Sequence, residues 1–422
     1  MEWVWKVFLA GFLATGTCGA PFVEETPPEN PPGDMMKKPD PTPPKPTWKK
    51  VTAVKNLQGS NNSFRKIVGS EDPSSGSSAM LLLQDYQSGS DLGSTTIMRY
   101  KGGYFDDLNP LLIYANGKSL NIPDVYMFDY NDVSFVANNL NPGNKLLSGE
   151  ITSVSFEPKD TAVQLFEDTS PCVFESGQQI SGAPGRITSV HRNTFGGENA
   201  TYGTFEKGKT HWCRIFFINT QTGQRQFSDM KINGTIETDT KQVFIGDACN
   251  GGCNRNDGSA QAAIAIRTKP SILGKKDSEV PFTVVDRRTT AFVGIATSIT
   301  QLNNETAIVV IGKSAWYMNL GELGDDAIRL NSEDIAGNFG DKYASYNPTC
   351  VFVLPSGDFF LGGEKGKIAF FKSGDQNPTI HSIPDSLLDG TDRIVSVFAW
   401  SSDFIYALTD KQLYVYSVRE NF

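Results

Sequence analysis

The sequence predicts an all-β protein, a β-propeller of about seven four-stranded blades. Three observations lead there. Short runs of β-branched and aromatic residues, bounded by Gly, Asn, Asp and Ser, recur from Trp48 to Phe422. The clearest copies of one module begin near Thr297, Thr349 and Val395, a period of about 45 to 52 residues, which is what four short strands and their turns need. The last copy stops after three strands, leaving a bare edge that a strand from the other end of the chain would cover. Over 48–422 that period allows seven blades, with six and eight also compatible. A β-sandwich pair explains the strands but not the period.

The final module is the easiest to read. Ile394–Trp400, Phe404–Leu408 and Gln412–Val418 alternate as strands, joined by Ser401-Ser402-Asp403 and Thr409-Asp410-Lys411. Such short polar turns suit antiparallel hairpins. In the copy before it, Cys350–Leu354, Phe359–Leu361 and Ile368–Phe371 are followed by a fourth strand around Thr379–Ile383. In the copy before that, Thr297–Leu302 leads to Ala307–Ile311 and Ala315–Met318. Weaker copies start at Ile151 and Ile187. Upstream, Met80–Leu83 reads as an inner strand, Leu111–Tyr114 runs into an Asn116-Gly117 turn, and Val125–Phe128 pairs with Val133–Val136. Trp48–Val54 is the strand expected to close the last blade. No stretch sustains a capped 3.6-residue period, so helices are expected to be few and short.

The start of the chain has a different character. Val4–Thr15 is apolar apart from Lys6, too short to span a bilayer comfortably but suited to a signal-peptide core. The expected divisions are a signal at 1–20, a tether at 21–47 and a propeller at 48–422. Two processing routes stay open: cleavage after Ala20, or lipidation of Cys18. Leu13–Cys18 resembles a loose bacterial lipobox, although Thr17 stands where Gly or Ala is usual. The Pro-rich segment from Pro21 to Thr47 cannot bury apolar area and favours extended polyproline II. At roughly 3.1 Å per residue it could hold a domain on the order of 80 Å from a membrane.

Composition narrows the partners. The net charge is -9, with no dense Lys/Arg run interleaved with aromatics, which argues against nucleic acid while leaving room for a local basic patch. An exported chain can keep disulfides. In Cys249-Asn250-Gly251-Gly252-Cys253 the two glycines let the loop turn tightly enough for a bridge. Cys172 and Cys213 could pair between blades, leaving Cys350 as a buried free thiol. No second paired motif supports zinc, and no cofactor is indicated. The loop from Asp247 to Asp257 is rich in oxygen ligands, but its spacing fails the EF-hand pattern. The sequons at Asn61, Asn199, Asn233 and Asn304 are about what chance gives.

Arg214–Gln224 (Arg-Ile-Phe-Phe-Ile-Asn-Thr-Gln-Thr-Gly-Gln) resembles the strand-turn-strand of quinoprotein-like repeats, which also build the outer-membrane-assembly lipoprotein propellers of bacteria. Those repeats place a Trp shortly after the Gly, where this chain has Phe227. The resemblance implies a propeller scaffold at the bacterial envelope and leaves activity open. The functional expectation is an exported, lipid-anchored or free propeller whose loops bind a protein or a glycan. Its candidate binding residues are His191, Asn193, His211, Asp247, Asn254 and Asp257, with 193–209 read as an insertion loop. The rival is a hydrolase or lyase with its site at the channel mouth, which requires His191 or His211 beside carboxylates.

Overall fold

The structure is a computed structural model. It describes residues 45–51, the strands named below, and most of the turns between 294 and 418. Side chains are described chiefly at 45–51, 64–69, 233–246, 262–266, 294–320, 346–373, 378–388 and 392–418. The chain divides into Met1–Pro44 and Lys45–Phe422. The signal, Cys18 and nearly all of the tether lie outside the described residues, as do the Asn116-Gly117 turn and the Cys249, Cys253, Asn254 and Asp257 loop.

The second unit opens with β1 (Thr47–Lys50). The first sheet contains β2 (Asn62–Glu71), β3 (Ser78–Tyr86), β4 (Thr95–Lys101) and β5 (Tyr104–Asp107). The second contains β6 (Ser119–Asp129), β7 (Asp132–Leu140), β8 (Leu146–Ser155) and β9 (Gln164–Glu167). A two-stranded ribbon, β10 (Cys172–Val173) and β11 (Gln179–Ile180), precedes the third sheet of β12 (Arg186–Phe195), β13 (Glu198–Lys207) and β14 (His211–Ile218). The fourth contains β15 (Met230–Glu237), β16 (Lys241–Ala248), β17 (Gln261–Thr268) and β18 (Thr283–Asp286). In the fifth are β19 (Ala296–Gln301), β20 (Thr306–Ile311), β21 (Ser314–Asn319) and β22 (Leu330–Asp334). The sixth has β23 (Pro348–Val353), β24 (Phe359–Gly363), β25 (Lys367–Phe371) and β26 (Thr379–Ser382). The seventh joins β27 (Ile394–Ser401), β28 (Phe404–Thr409) and β29 (Leu413–Ser417) to β1. No helix occurs among the described residues.

The sheets stack face to face, and this explains their sequences. A second strand lies between two neighbours, so it is apolar on both faces instead of alternating. In β20, Ile308 and Val310 pack against Phe359 and Leu361 of the sixth sheet, while Ala307, Val309 and Ile311 pack against Val243, Ile245 and Ile264 of the fourth. In β24, Phe360 faces the other way, toward Val397, Ala399 and Ile405 of the seventh sheet. Each such side chain contributes about 1.5–3 kcal/mol on burial. The first strands adjoin in order: β2 with β6, β6 with β12, β12 with β15, β15 with β19, β19 with β23 and β23 with β27. β27 in turn lies against β2.

At the seventh sheet, β1 runs antiparallel to β29, with Thr47 opposite Ser417 and Lys50 opposite Tyr414. Val51 donates its N–H to the Leu413 carbonyl at 3.0 Å, and the buried Gln412 side chain donates Nε2–H to the Val51 carbonyl at 3.2 Å. Trp48 packs on Tyr416 with ring centroids 5.2 Å apart.

Four sequence expectations need correction. β1 starts at Thr47, inside the expected tether, and ends at Lys50, short of Val54. Ile151 does not begin a module: it lies in β8, the third strand of a sheet that starts at Ser119. Its Ile-Thr-Ser-Val run matches that of Ile187 in β12 because both are half-apolar strands; the pattern reports a strand and not its rank. Residues 193–209 are not a loop, since Asn193, opposite Ala200, lies in β12, which runs on to Phe195, and Glu198–Lys207 form β13. Finally, β14 pairs with β13, whereas the next described strand after it, β15, belongs to another sheet. The quinoprotein-like turn itself, 219–223, lies outside the described residues.

Candidate functional site

The two ends of the sheets are built differently. Connections between sheets arrive where first strands begin, and they run from nine residues (287–295) to eighteen (168–185). First-to-second-strand turns lie at the opposite end and run from two residues (130–131) to six (72–77), alongside third-to-fourth-strand connections of two (102–103) to fourteen residues (269–282). Because neighbours are antiparallel, the second-to-third-strand turns share the end with the long connections, including 249–260. Connecting segments carry variable chemistry on a rigid frame, so this end is the candidate binding face.

The first strands share one device near that face. Every sheet has a register shift there: between Phe64 and Lys66, Asn121 and Asp124, Ile187 and Ser189, Ile232 and Gly234, Ala296 and Ser298, Pro348 and Cys350, and Ile394 and Ser396. A bulge re-aims the extra side chain and frees backbone groups from the ladder. In the fourth, fifth and sixth sheets that side chain reaches the next sheet. Asn233 donates Nδ2–H to the Ala296 carbonyl at 2.8 Å, and Thr297 donates its hydroxyl to the Thr349 carbonyl at 3.2 Å. The buried Thr349 hydroxyl lies between the carbonyls of Gly362, at 3.0 Å, and Ile394.

The following residue adds a second link. The Ser298 hydroxyl accepts from Val351 N–H at 3.2 Å, and the Ser396 hydroxyl bonds both Ile67 N–H, at 3.3 Å, and the Ile67 carbonyl, at 3.2 Å. Backbone groups on the unpaired side of β2, β19, β23 and β27, which would be costly if left without partners, are thus served by the neighbouring sheet. The sequence reading missed these roles, although the hydroxyl or amide residues at the second and third positions of the repeat were the available signal.

The expected site residues do not form one constellation. Along β13, Tyr202 faces His191 and Lys207 faces His211. The two histidines therefore lie five residue steps apart, about 16 Å, on strands separated by two spacings of about 4.8 Å. His211 and Asp247 lie toward the long-connection end of β14 and β16, and Asn193 lies toward the opposite end of β12. Among the described residues no group of three His, Cys, Asp or Glu side chains is arranged to hold a metal ion.

Burial raises the pKa of Tyr317, Tyr346 and Tyr416, and alters that of a thiol and an imidazole as well. Burial pushes the Cys350 thiol up to about 11, and it is a free, buried cysteine. His381 stands between Phe370 and Tyr416, with centroid distances of 6.0 and 5.0 Å, and burial lowers its pKa against the opposing pull of Asp403. Both read as packing groups.

No protein-family model and no curated protein matches this chain. Among solved structures it is similar to PorZ, a surface component of the type-IX secretion system of Porphyromonas gingivalis, with TM-score 0.52 and 9% identity over 80% of this chain and 45% of that one. The extracellular domain of the B. thetaiotaomicron one-component system BT4673 gives 0.49 and 11% over 88% and 40%. YCF48 bound to D1 peptide gives 0.48 and 10% over 90% and 97%. The likeness to PorZ, with antiparallel sheets whose first strands adjoin in order, shows the fold of this chain to be a β-propeller.

Proposed function

We propose that the chain is an exported propeller that works as a binding platform at the cell envelope, taking a protein or a glycan on the face where its long connections gather. The seven sheets are read as seven blades, the third with three described strands, and β1 as the strand that closes the ring. Support for closure comes from the Thr47 and Ser417 register and from the contact of β27 with β2. The observation that carries the platform reading is that every connection between sheets, nine to eighteen residues long, arrives at one end, whereas the opposite end carries first-to-second-strand turns of two to six residues and third-to-fourth-strand connections of two (102–103) to fourteen (269–282).

Residues 1–20 act as an export signal in this reading, with Cys18 as the lipidation site and the Pro-rich segment as the tether. The binding set is His211, Asp247, Asn254 and Asp257, with a Cys249–Cys253 bridge shaping the loop; His191 and Asn193 are less well placed along their strand. Two experiments test it. Cys18→Ala should move the protein from the membrane to the soluble fraction, and continued membrane association would reject the anchor. Replacing 250–256 with a short Gly-Ser link should abolish capture of envelope partners by the purified protein; undiminished capture would reject this face.

A further inference from the structure

Among the described residues, exposed charge is unevenly distributed between the two ends of the sheets. At the long-connection end, Lys313, Lys365 and Lys411 occupy the second-to-third-strand turns of the fifth, sixth and seventh sheets, and all three are exposed. Arg393, just before β27, and Arg65, at the bulge of β2, are exposed at the same end. Asp385 is the exposed carboxylate among the described residues there; Glu364 and Asp410 are half-buried and Asp392 is buried. At the opposite end, the first-to-second-strand turns of the fourth, fifth and seventh sheets carry exposed Asp239, Glu305 and Asp403, against exposed Lys45 and Lys372 nearer the outer strands.

These cations lie on four consecutive sheets, since β19 adjoins β23, β23 adjoins β27 and β27 adjoins β2. They form an arc, repeated once per sheet. Packed sheets stand about 10 Å apart, so successive turn lysines present charge at about that interval. A polypeptide extended as polyproline II rises about 3.1 Å per residue with three residues per turn, and so returns every third side chain to one face at about that spacing.

We infer that the arc of Lys313, Lys365 and Lys411, continued by Arg393 and Arg65, receives an extended acidic polypeptide segment bearing carboxylates at about every third residue. This rests on the platform reading and specifies the partner of the same face. Lys365 is held for the task by its turn: it adopts a φ of 56° beside Gly366 at 64°, a tight connection that leaves its side chain outward. A charge fixed on a short hairpin loses less freedom on binding than one on a long loop.

The test uses the purified Lys45–Phe422 unit together with the full chain, and a fluorescein-labelled twelve-residue peptide of four Glu-Gly-Ser repeats, followed by anisotropy. Binding should weaken at least tenfold in the Lys313→Glu, Lys365→Glu, Lys411→Glu triple variant, and at least tenfold between 50 and 300 mM NaCl. A Lys45→Glu, Lys372→Glu variant, reversed at the far end, should stay within twofold. The inference is overturned if the peptide does not bind, if the Gln-Gly-Ser peptide binds equally well, or if the triple variant is unchanged. Polygalacturonate binding to the arc in place of the peptide would likewise overturn it, in favour of an acidic glycan. Loss of partner capture on loop replacement, with no effect of the charge reversals, would retain the platform and discard the arc alone.

Discussion

Gly69→Ala probes the junction of the first and seventh sheets. A Cβ at this position would lie 2.4, 2.5 and 2.8 Å from Cζ, Cε1 and Cε2 of Phe398. The ring cannot swing aside, because Phe398 is 5% exposed and makes edge contacts with Phe352 at 5.2 Å and Trp400 at 4.5 Å. Overpacking a close site costs about 1–3 kcal/mol. The smaller unfolded-state entropy of Ala offsets about 0.4–1 kcal/mol, leaving a net loss of about 1–2 kcal/mol. With about 2.1 cal/mol/K of unfolding entropy per residue, a unit of this length loses roughly 1–3 °C in Tm. The assay is calorimetry on wild type, Gly69→Ala, Phe398→Leu and the double variant. Removing the ring should make the glycine substitution harmless, a coupling of about 1 kcal/mol. A Gly69→Ala protein as stable as wild type, or strictly additive effects, would refute the close approach of these two sheets.

Further outcomes follow from the same geometry. Thr349→Val keeps the shape but removes the hydroxyl shared by Gly362 and Ile394, and should cost about 1–3 kcal/mol by chemical denaturation, with Thr349→Ser recovering most of it. Trp48→Ala should destabilise by about 1–3 kcal/mol and open the 45–51 segment to limited proteolysis, since the indole holds β1 on Tyr416. His381 has a folded-state pKa below its unfolded value of 6.5, so the unfolded chain takes the proton first. Its contribution is present above pH 6.5 and is lost as the pH falls through the lower folded value; a His381→Gln variant should show a flatter Tm profile over that range. Cys350 should resist alkylation at pH 8 in the native protein and react fully in denaturant.

The repeat was legible where its residues report position as well as type. Modules expected at Thr297, Thr349 and Val395 begin at Ala296, Pro348 and Ile394, one residue earlier in each case. Their second strands are continuous apolar runs, which only a doubly covered strand requires. The N-terminal half blurs because strands such as β8 alternate Thr and Ser with apolar residues in whatever rank they occupy. The polar stretch 198–207 looked like a loop for a related reason: a strand whose two sides differ in polarity carries no long apolar run. The site was less legible. A histidine on a strand can be read from sequence, but the distance between His191 and His211 depends on a register that neither residue encodes. The cross-sheet links were written in the repeat as Asn233, Thr297 and Thr349, yet a hydroxyl in a β-strand gives no sign of which carbonyl it will meet.

The pairing of β1 with β29 has a consequence for synthesis. Thr47 leaves the ribosome long before Ser417, its partner in the register, has been translated. Throughout that interval the nascent β1 has no ladder to join, and the intervening sheets must assemble without it. The last step in assembling this unit is then the docking of its first strand onto its last. A chaperone that shields Trp48 and its neighbours early would act on a segment that the finished molecule needs last.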